Sequence, residues 1–282
     1  MSWSERQRAM LREMGIPAFW PVPPSAPAED VPMVAAAVAD VAPIAPAPAP
    51  TPTPTPPLAR PARPEVKPPV SIAAAATAGI QAILRERPEG IDQMDWPTLR
   101  QAVSGCTACG LCESRKQTVF GVGHQHASVM IIGEAPDEQE DSQGEPFVGR
   151  AGQLLDRMLS PIGLTRADAD ANSQVFIANV LKCRPPGDRN PLPAEVAQCE
   201  PYLMRQIALV KPRIIIAMGR FAAQSLLKTS EPIGRLRGRL HDLQGTPVIV
   251  TYHPAYLLRN PVDKGLVWDD LCRVREQLNQ PT

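Results

Sequence analysis

The chain has 282 residues with 29 basic and 29 acidic side chains, a formal net charge of +0, so any nucleic-acid role has to rest on a local basic face rather than on global attraction. By count, 18 of the 34 prolines lie within the first 70 residues, which excludes one uniform globule and leaves roughly 190 residues for a single full core. No stretch combines a basic start with an apolar run, and none nears the ~18 apolar residues of a membrane span, so the expectation is a cytoplasmic monomer whose six cysteines are metal ligands or free thiols rather than disulfides.

Taken in chain order, residues 1–20 read as a short amphipathic segment. Met10, Leu11 and Met14 share a face, Gly15 is the stop, and Phe19-Trp20 follow Pro17. An isolated helix this short is marginal in water, so the segment is expected either to fray or to dock on a replication or repair protein. Residues 21–92 form a Pro/Ala-rich linker, with runs such as Ala45-Pro46-Ala47-Pro48 and Thr51-Pro52-Thr53-Pro54. Such a composition buries too little apolar surface to offset its ordering entropy and favours an extended, largely disordered spacer. The alanine-rich stretch 71–87 is compatible with a helix.

From residue 93 the pattern changes. Short apolar runs at 129–132, 175–178, 214–217 and 248–250 have the length and composition of buried strands. Helical stretches at 149–162, 193–210, 221–227 and 266–278 separate or follow them. Strand–helix alternation implies right-handed crossovers. The expected fold is a three-layer α/β/α sandwich with a four-stranded parallel central sheet, over residues 93–282, preceded by the disordered arm.

In such sheets ligands bind beyond the carboxyl ends of the strands. Those ends lead into Gly133-Glu134-Ala135-Pro136, into Asn179, into Gly219 and into His253-Pro254. Topology alone therefore brings a carboxylate, an amide and an imidazole to one edge.

Cys106, Cys109 and Cys112 are spaced by two residues each, ahead of the first strand, while Cys183 and Cys199 follow the second. Two distant pairs suit a four-thiolate site, either structural zinc or a [4Fe–4S] cluster, and spacing does not choose between them. Cys106 with Cys109 is the preferred first pair, with Cys112 the alternative ligand, and Cys272 reads as a packed thiol. Between Cys183 and Cys199, the proline-rich loop carrying Asp188-Arg189-Asn190 is polar and partly basic, suited to lie along a phosphate backbone.

The stretch from Gly133-Glu134-Ala135-Pro136-Asp137 to Gly144-Glu145-Pro146-Phe147-Val148-Gly149-Arg150 resembles the first motif of the family 4 uracil-DNA glycosylases. His253-Pro254-Ala255-Tyr256-Leu257-Leu258-Arg259 resembles their second, and Asn179-Val180-Leu181-Lys182-Cys183 the segment between. The resemblance spans residues 106–261, with one departure: Asp137 stands where the family has glycine. It implies a [4Fe–4S] cluster held by Cys106, Cys109, Cys183 and Cys199 in a structural role, and uracil-containing DNA as the substrate.

On that reading the target nucleotide is flipped out of the duplex. Leu257 and Leu258, placed on a loop by the Asn260-Pro261 that follows, wedge into the vacated step while Arg259 holds a phosphate, with two core leucines opening the last helix as the alternative. Phe147 stacks on the base, and Asn179 donates to O4 and accepts from N3–H, a pattern that cytosine reverses. His253, with backbone N–H groups near Glu134 and Ala135, stabilises the anion developing on O2, and Pro136 lines the same substrate-binding segment. Other glycosylase families place a water-positioning aspartate where this chain has Ala135, which leaves Glu134, Glu140 and Asp141. Of these, Glu140 is expected at the pocket, orienting water or crowding out thymine's methyl group, with capping of a loop as the alternative.

Two rival readings are a DNA-binding module without turnover and an electron carrier. In a related branch a loop histidine traps uracil-DNA covalently, but residues 184–190 contain none. Nothing near the cysteines suggests a flavin or redox-partner site.

Overall fold

The computed structural model describes residues 84–280, all within one compact unit. The segment 1–20, the linker as far as residue 83 and most of the helix expected at 71–87 lie outside the described residues. Residues 84–92, assigned to the linker by composition, belong to the globular unit: Ile91 is buried, and Arg87 donates to the carbonyls of Ala197 and Gln198, both at 3.3 Å.

The strands are β1 Val122–Gly123, β2 Val129–Gly133, β3 Phe176–Asn179, β4 Ile214–Met218, β5 Leu240–Leu243 and β6 Thr246–Thr251. The helices are α1 Trp96–Ser104, α2 Glu138–Gln143, α3 Gly149–Leu159, α4 Pro193–Val210, α5 Arg220–Leu227, α6 Ile233–Leu236, α7 Pro254–Arg259 and α8 Lys264–Leu278. Their order in the single sheet is β1-β3-β2-β4-β6-β5. The four central strands run parallel as expected, with Ile131 opposite Ile177 and Ile216, and Ile216 opposite Ile249.

The sheet has six strands rather than four. β1 pairs antiparallel with β3, and β5 with β6. β5 and β6 form a hairpin through Gln244 and Gly245, at φ 52° and 87°, so both turn residues are left-handed, as a type I′ turn requires.

Alternate residues of the central strands feed two cores. Val129, Ile131, Ile177, Ile216 and Ile249 pack under α3, α7 and α8. Met130, Ile132, Ala178, Ile215 and Val250 pack under α4, α5 and α6. The chain therefore leaves β2 towards one face and β4 towards the other, which opens a crevice between their carboxyl ends. No helix among the described residues is long and apolar enough to cross a membrane.

Candidate active site and cysteine cavity

The crevice forms a groove lined by Glu134, Ala135 and Pro136 after β2, Gly219 and Arg220 after β4, and Tyr252 and His253 after β6. Behind it sit Asn179 and Phe147, each about 1% exposed. They share the space above Gly133. A Cβ at that position would lie 2.3 Å from Asn179 Oδ1 and 2.9 Å from the tip of the Phe147 ring, so only glycine lets both side chains reach the site.

Glu140 joins the two. One oxygen accepts the Phe147 N–H at 2.6 Å, and the other accepts Asn179 Nδ2 at 3.2 Å. This bond fixes the direction of the amide: with Nδ2 towards Glu140, Oδ1 faces Gly133. Burial, reinforced by the charge of nearby Asp137, pushes the Glu140 carboxyl up to about 7. Asp137 keeps an ordinary backbone at φ −87° and caps α2, accepting from the N–H groups of Gln139 (2.8 Å) and Glu140 (2.9 Å). Asp141, also buried, takes the Lys116 N–H on both oxygens at 3.1 and 3.0 Å. Of the two neighbouring acids, Asp141 holds a loop and Glu140 holds the pocket.

Phe147 has φ 55°, a left-handed conformation that a bulky residue adopts only under restraint. Three contacts supply it. Glu140 holds the N–H, Arg166 donates to the carbonyl at 2.7 Å, and the Cα of Gly152 leaves room for that carbonyl, which a Cβ would meet at 1.6 Å. Arg166 is itself locked by Asp156, at 2.5 and 2.8 Å.

Asn179 is anchored through its carbonyl by the buried Lys182 ammonium at 2.8 Å, which also donates to Gln206 at 2.6 Å. Burial pushes this lysine down to about 8. His253 is the N-cap of α7, and its Nδ1 accepts the Ala255 N–H at 3.2 Å. That role leaves the proton of the neutral ring on Nε2. The imidazole stacks on Phe147 with centroids 5.0 Å apart and planes 26° apart. Burial first, then the Arg259 charge, pushes it down to about 4, so it is neutral at physiological pH. Glu134 is raised to about 7 by burial, against the opposing pull of Arg220.

A second cavity is lined by Cys106, Cys109, Cys183 and Cys199, with Arg115, Lys182 and Tyr202 around them. Cys112 is not among its lining residues; it accepts from Arg85 Nη1 at 3.9 Å. Arg115 donates to Cys183 Sγ at 3.1 Å and the Lys182 N–H to Cys199 Sγ at 3.2 Å. Burial pushes Cys183 up to about 11 and Cys199 to about 12. The buried Tyr202 hydroxyl lies beside Cys106 without a formed hydrogen bond. No group of three or more His, Cys, Asp or Glu among the described residues is gathered as for a single metal ion.

A family model described as the uracil DNA glycosylase superfamily matches residues 120–272. A type-4 uracil-DNA glycosylase of Pyrobaculum aerophilum is 43% identical over 187 residues, 64% of this chain and 92% of the relative. That of Saccharolobus solfataricus is 41% identical over 198 residues (67% and 88%), and that of Archaeoglobus fulgidus 42% over 190 (64% and 92%). The chain belongs to the type-4 uracil-DNA glycosylases.

For a glycosylase of this family the structure corrects one expectation about the DNA face. The segment after His253 is helix α7, not a loop, and Leu257 is 0% exposed within the core under α3 and α8. Helical spacing turns Leu257 inward, so of the expected pair only Leu258 (39% exposed) and the neighbouring Arg259 face solvent. Arg166 and Gln206 left no mark in the sequence because each acts on a residue distant along the chain, Phe147 and Phe120 respectively. Lys182, inside Asn179-Val180-Leu181-Lys182-Cys183, carried the one available signal: a lysine between strand end and cysteine in an otherwise apolar run.

Proposed function

We propose that this glycosylase hydrolyses the N-glycosidic bond of deoxyuridine in DNA, releasing uracil and leaving an abasic site. The observation that carries the reading is the pinned amide. With Asn179 Nδ2 held by Glu140 and Oδ1 turned to Gly133 beside the Phe147 ring, the side chain offers an acceptor to the N3–H of a uracil stacked there and its second amide hydrogen to O4. Cytosine presents the opposite pattern, and an unmatched buried polar group costs about 1–3 kcal/mol.

Flipping a nucleotide from a duplex costs a few kcal/mol. Leu258 fills the vacated step, and Arg259 and Arg189 hold phosphates along the groove. The base stacks on Phe147. A ring lying between Phe147 and His253 requires about 7 Å, two van der Waals separations, and the two centroids are 5.0 Å apart. The imidazole therefore swings from the face of Phe147 to the edge of the arriving base, where Nε2–H donates to O2. As the C1′–N1 bond breaks, its electron pair stays with uracil and the charge gathers on O2 beside that donor. The sugar becomes oxocarbenium-like; water adds at C1′, and its released proton neutralises the departing base. Both Glu140 oxygens are engaged in anchoring, so the carboxylate facing sugar and water is Glu134.

The four cavity cysteines suit a [4Fe–4S] cluster. Burial holds the Cys183 and Cys199 thiols protonated until a cation arrives, and Arg115 and the Lys182 N–H already donate to those two sulfurs. Held by Cys106, Cys109, Cys183 and Cys199, such a cluster would cross-link the segment before β1 to the loop after β3 and to α4.

The deciding experiment incubates purified protein with a uracil-containing oligonucleotide and reveals abasic sites with alkali. Strand scission is expected, with losses of roughly a hundredfold or more in the single-turnover rate for His253→Ala and Asn179→Ala. Stoichiometric crosslinking without uracil release would replace the reading with a trapping module.

A further inference from the structure

The groove holds an aromatic feature that uracil chemistry does not use. Tyr252 and Tyr256 stack with centroids 4.9 Å apart and planes 30° apart. The Arg237 guanidinium lies over the Tyr252 ring at 4.6 Å. Arg237 is bound to the fully buried Asp270 at 2.7 Å, and Asp270 also accepts from the Thr251 hydroxyl at 2.8 Å. At the other end, the Tyr256 hydroxyl donates to Asp263 at 2.6 Å, fixing that ring. A column thus rises from a buried carboxylate through a cation and two aromatic rings, and ends on a half-buried tyrosine in the same groove as Glu134 and His253.

We propose that this column is a seat for one nucleobase adjoining the flipped deoxyuridine, taken on the outward side of Tyr256. Three points favour a nucleobase. A pinned ring offers a flat π surface at little entropic cost, and every base has a complementary one. Arg220 and Arg259 line the same groove, in reach of the phosphates on either side of such a base. His253 and Tyr256 are separated by two residues across the first turn of α7, so the seat lies about one nucleotide from the reacting bond. The seat holds a neighbouring base that has lost its stacking partner through flipping, which lets the enzyme engage single-stranded as well as paired DNA.

This inference rests on the proposed glycosylase reading, and the test separates the two. An oligonucleotide carries 2-aminopurine on one side of a deoxyuridine made uncleavable by 2′-fluorination, with a second oligonucleotide for the other side. At one of the two positions the bound probe is expected to be dimmer with the wild-type protein than with Tyr256→Leu, while Tyr256→Phe, which keeps the ring and loses the Asp263 bond that fixes it, falls between the two and nearer the wild type. On cleavable substrates Tyr256→Leu should lose roughly five- to a hundredfold in kcat/KM, carried by KM. Replacing the base at the identified position by an abasic spacer should reduce the wild type to the level of Tyr256→Leu and leave the variant nearly unaffected. Equal probe brightness in wild type and Tyr256→Leu at both positions, or equal spacer penalties in both proteins, overturns the seat while uracil release continues. A wild type that releases no uracil overturns the glycosylase reading itself.

Discussion

Glu140 ties two side chains of the site together, since its two oxygens hold the Asn179 amide and the Phe147 N–H, the residues proposed to recognise and to stack on the base. Ionisation makes both oxygens acceptors. The rate of uracil release should therefore fall as pH drops through about 7, the value to which burial raises this carboxyl. Neutral His253, pushed down to about 4, adds nothing to that limb. Glu134 titrates in the same range, so the assignment is checked with Glu134→Gln, which should retain an acid limb, and Glu140→Gln, which should lose it. Stability moves the other way. A carboxyl raised from 4.5 to about 7 contributes its full share below 4.5, and that share is lost as pH rises through about 7; Glu140→Gln should flatten part of the decline of Tm over that interval. Glu140→Gln also presents an amide donor to Asn179 Nδ2 and invites the amide to turn over, so the ratio of cytosine to uracil excision should rise.

At the level of elements, the turn between α2 and α3 is a spring held shut by its neighbours. Phe147 keeps its left-handed backbone only while its carbonyl is gripped. Breaking a hydrogen bond to a charged donor costs about 1.5–3 kcal/mol, so Arg166→Ala should lower kcat roughly ten- to a hundredfold. Arg166→Lys should recover part of the loss, and single-turnover kinetics with a circular dichroism control provide the check. Which elements could be read from the sequence has a physical explanation. The central strands are continuous apolar runs because both faces are buried, and α4 matched its expected bounds because Pro193 starts it. β5 stayed hidden because its residues alternate between exposed and half-buried and its turn relies on a left-handed Gln244. Helix α7 was hidden by Asn260-Pro261, which resemble a loop, although His253 followed by Pro254 is a sound helix start. At the site, strand ends predicted the convergence of Glu134, Asn179 and His253. The Glu140–Asn179 bond, spanning 39 residues, leaves no local trace.

Over the whole molecule, the cysteine cavity lies where the segment before β1, the loop following Asn179 and α4 meet. Protein purified without oxygen should carry roughly four iron and four sulfide per chain. Cys183→Ser and Cys199→Ser should lose that iron, whereas Cys112→Ser, outside the cavity, and Cys272→Ser, on α8 against the opposite core, should keep it. Stripping the metal should lower Tm by about ten degrees, since each kcal/mol corresponds to about 2–4 °C in a domain of this size. The stack of His253 on Phe147 joins positions 106 residues apart (253 − 147), and the imidazole arrives only with the last strand and helix. Residues that are strangers along the chain become neighbours only once β6 takes its place between β4 and β5, so the site and the completed sheet form together.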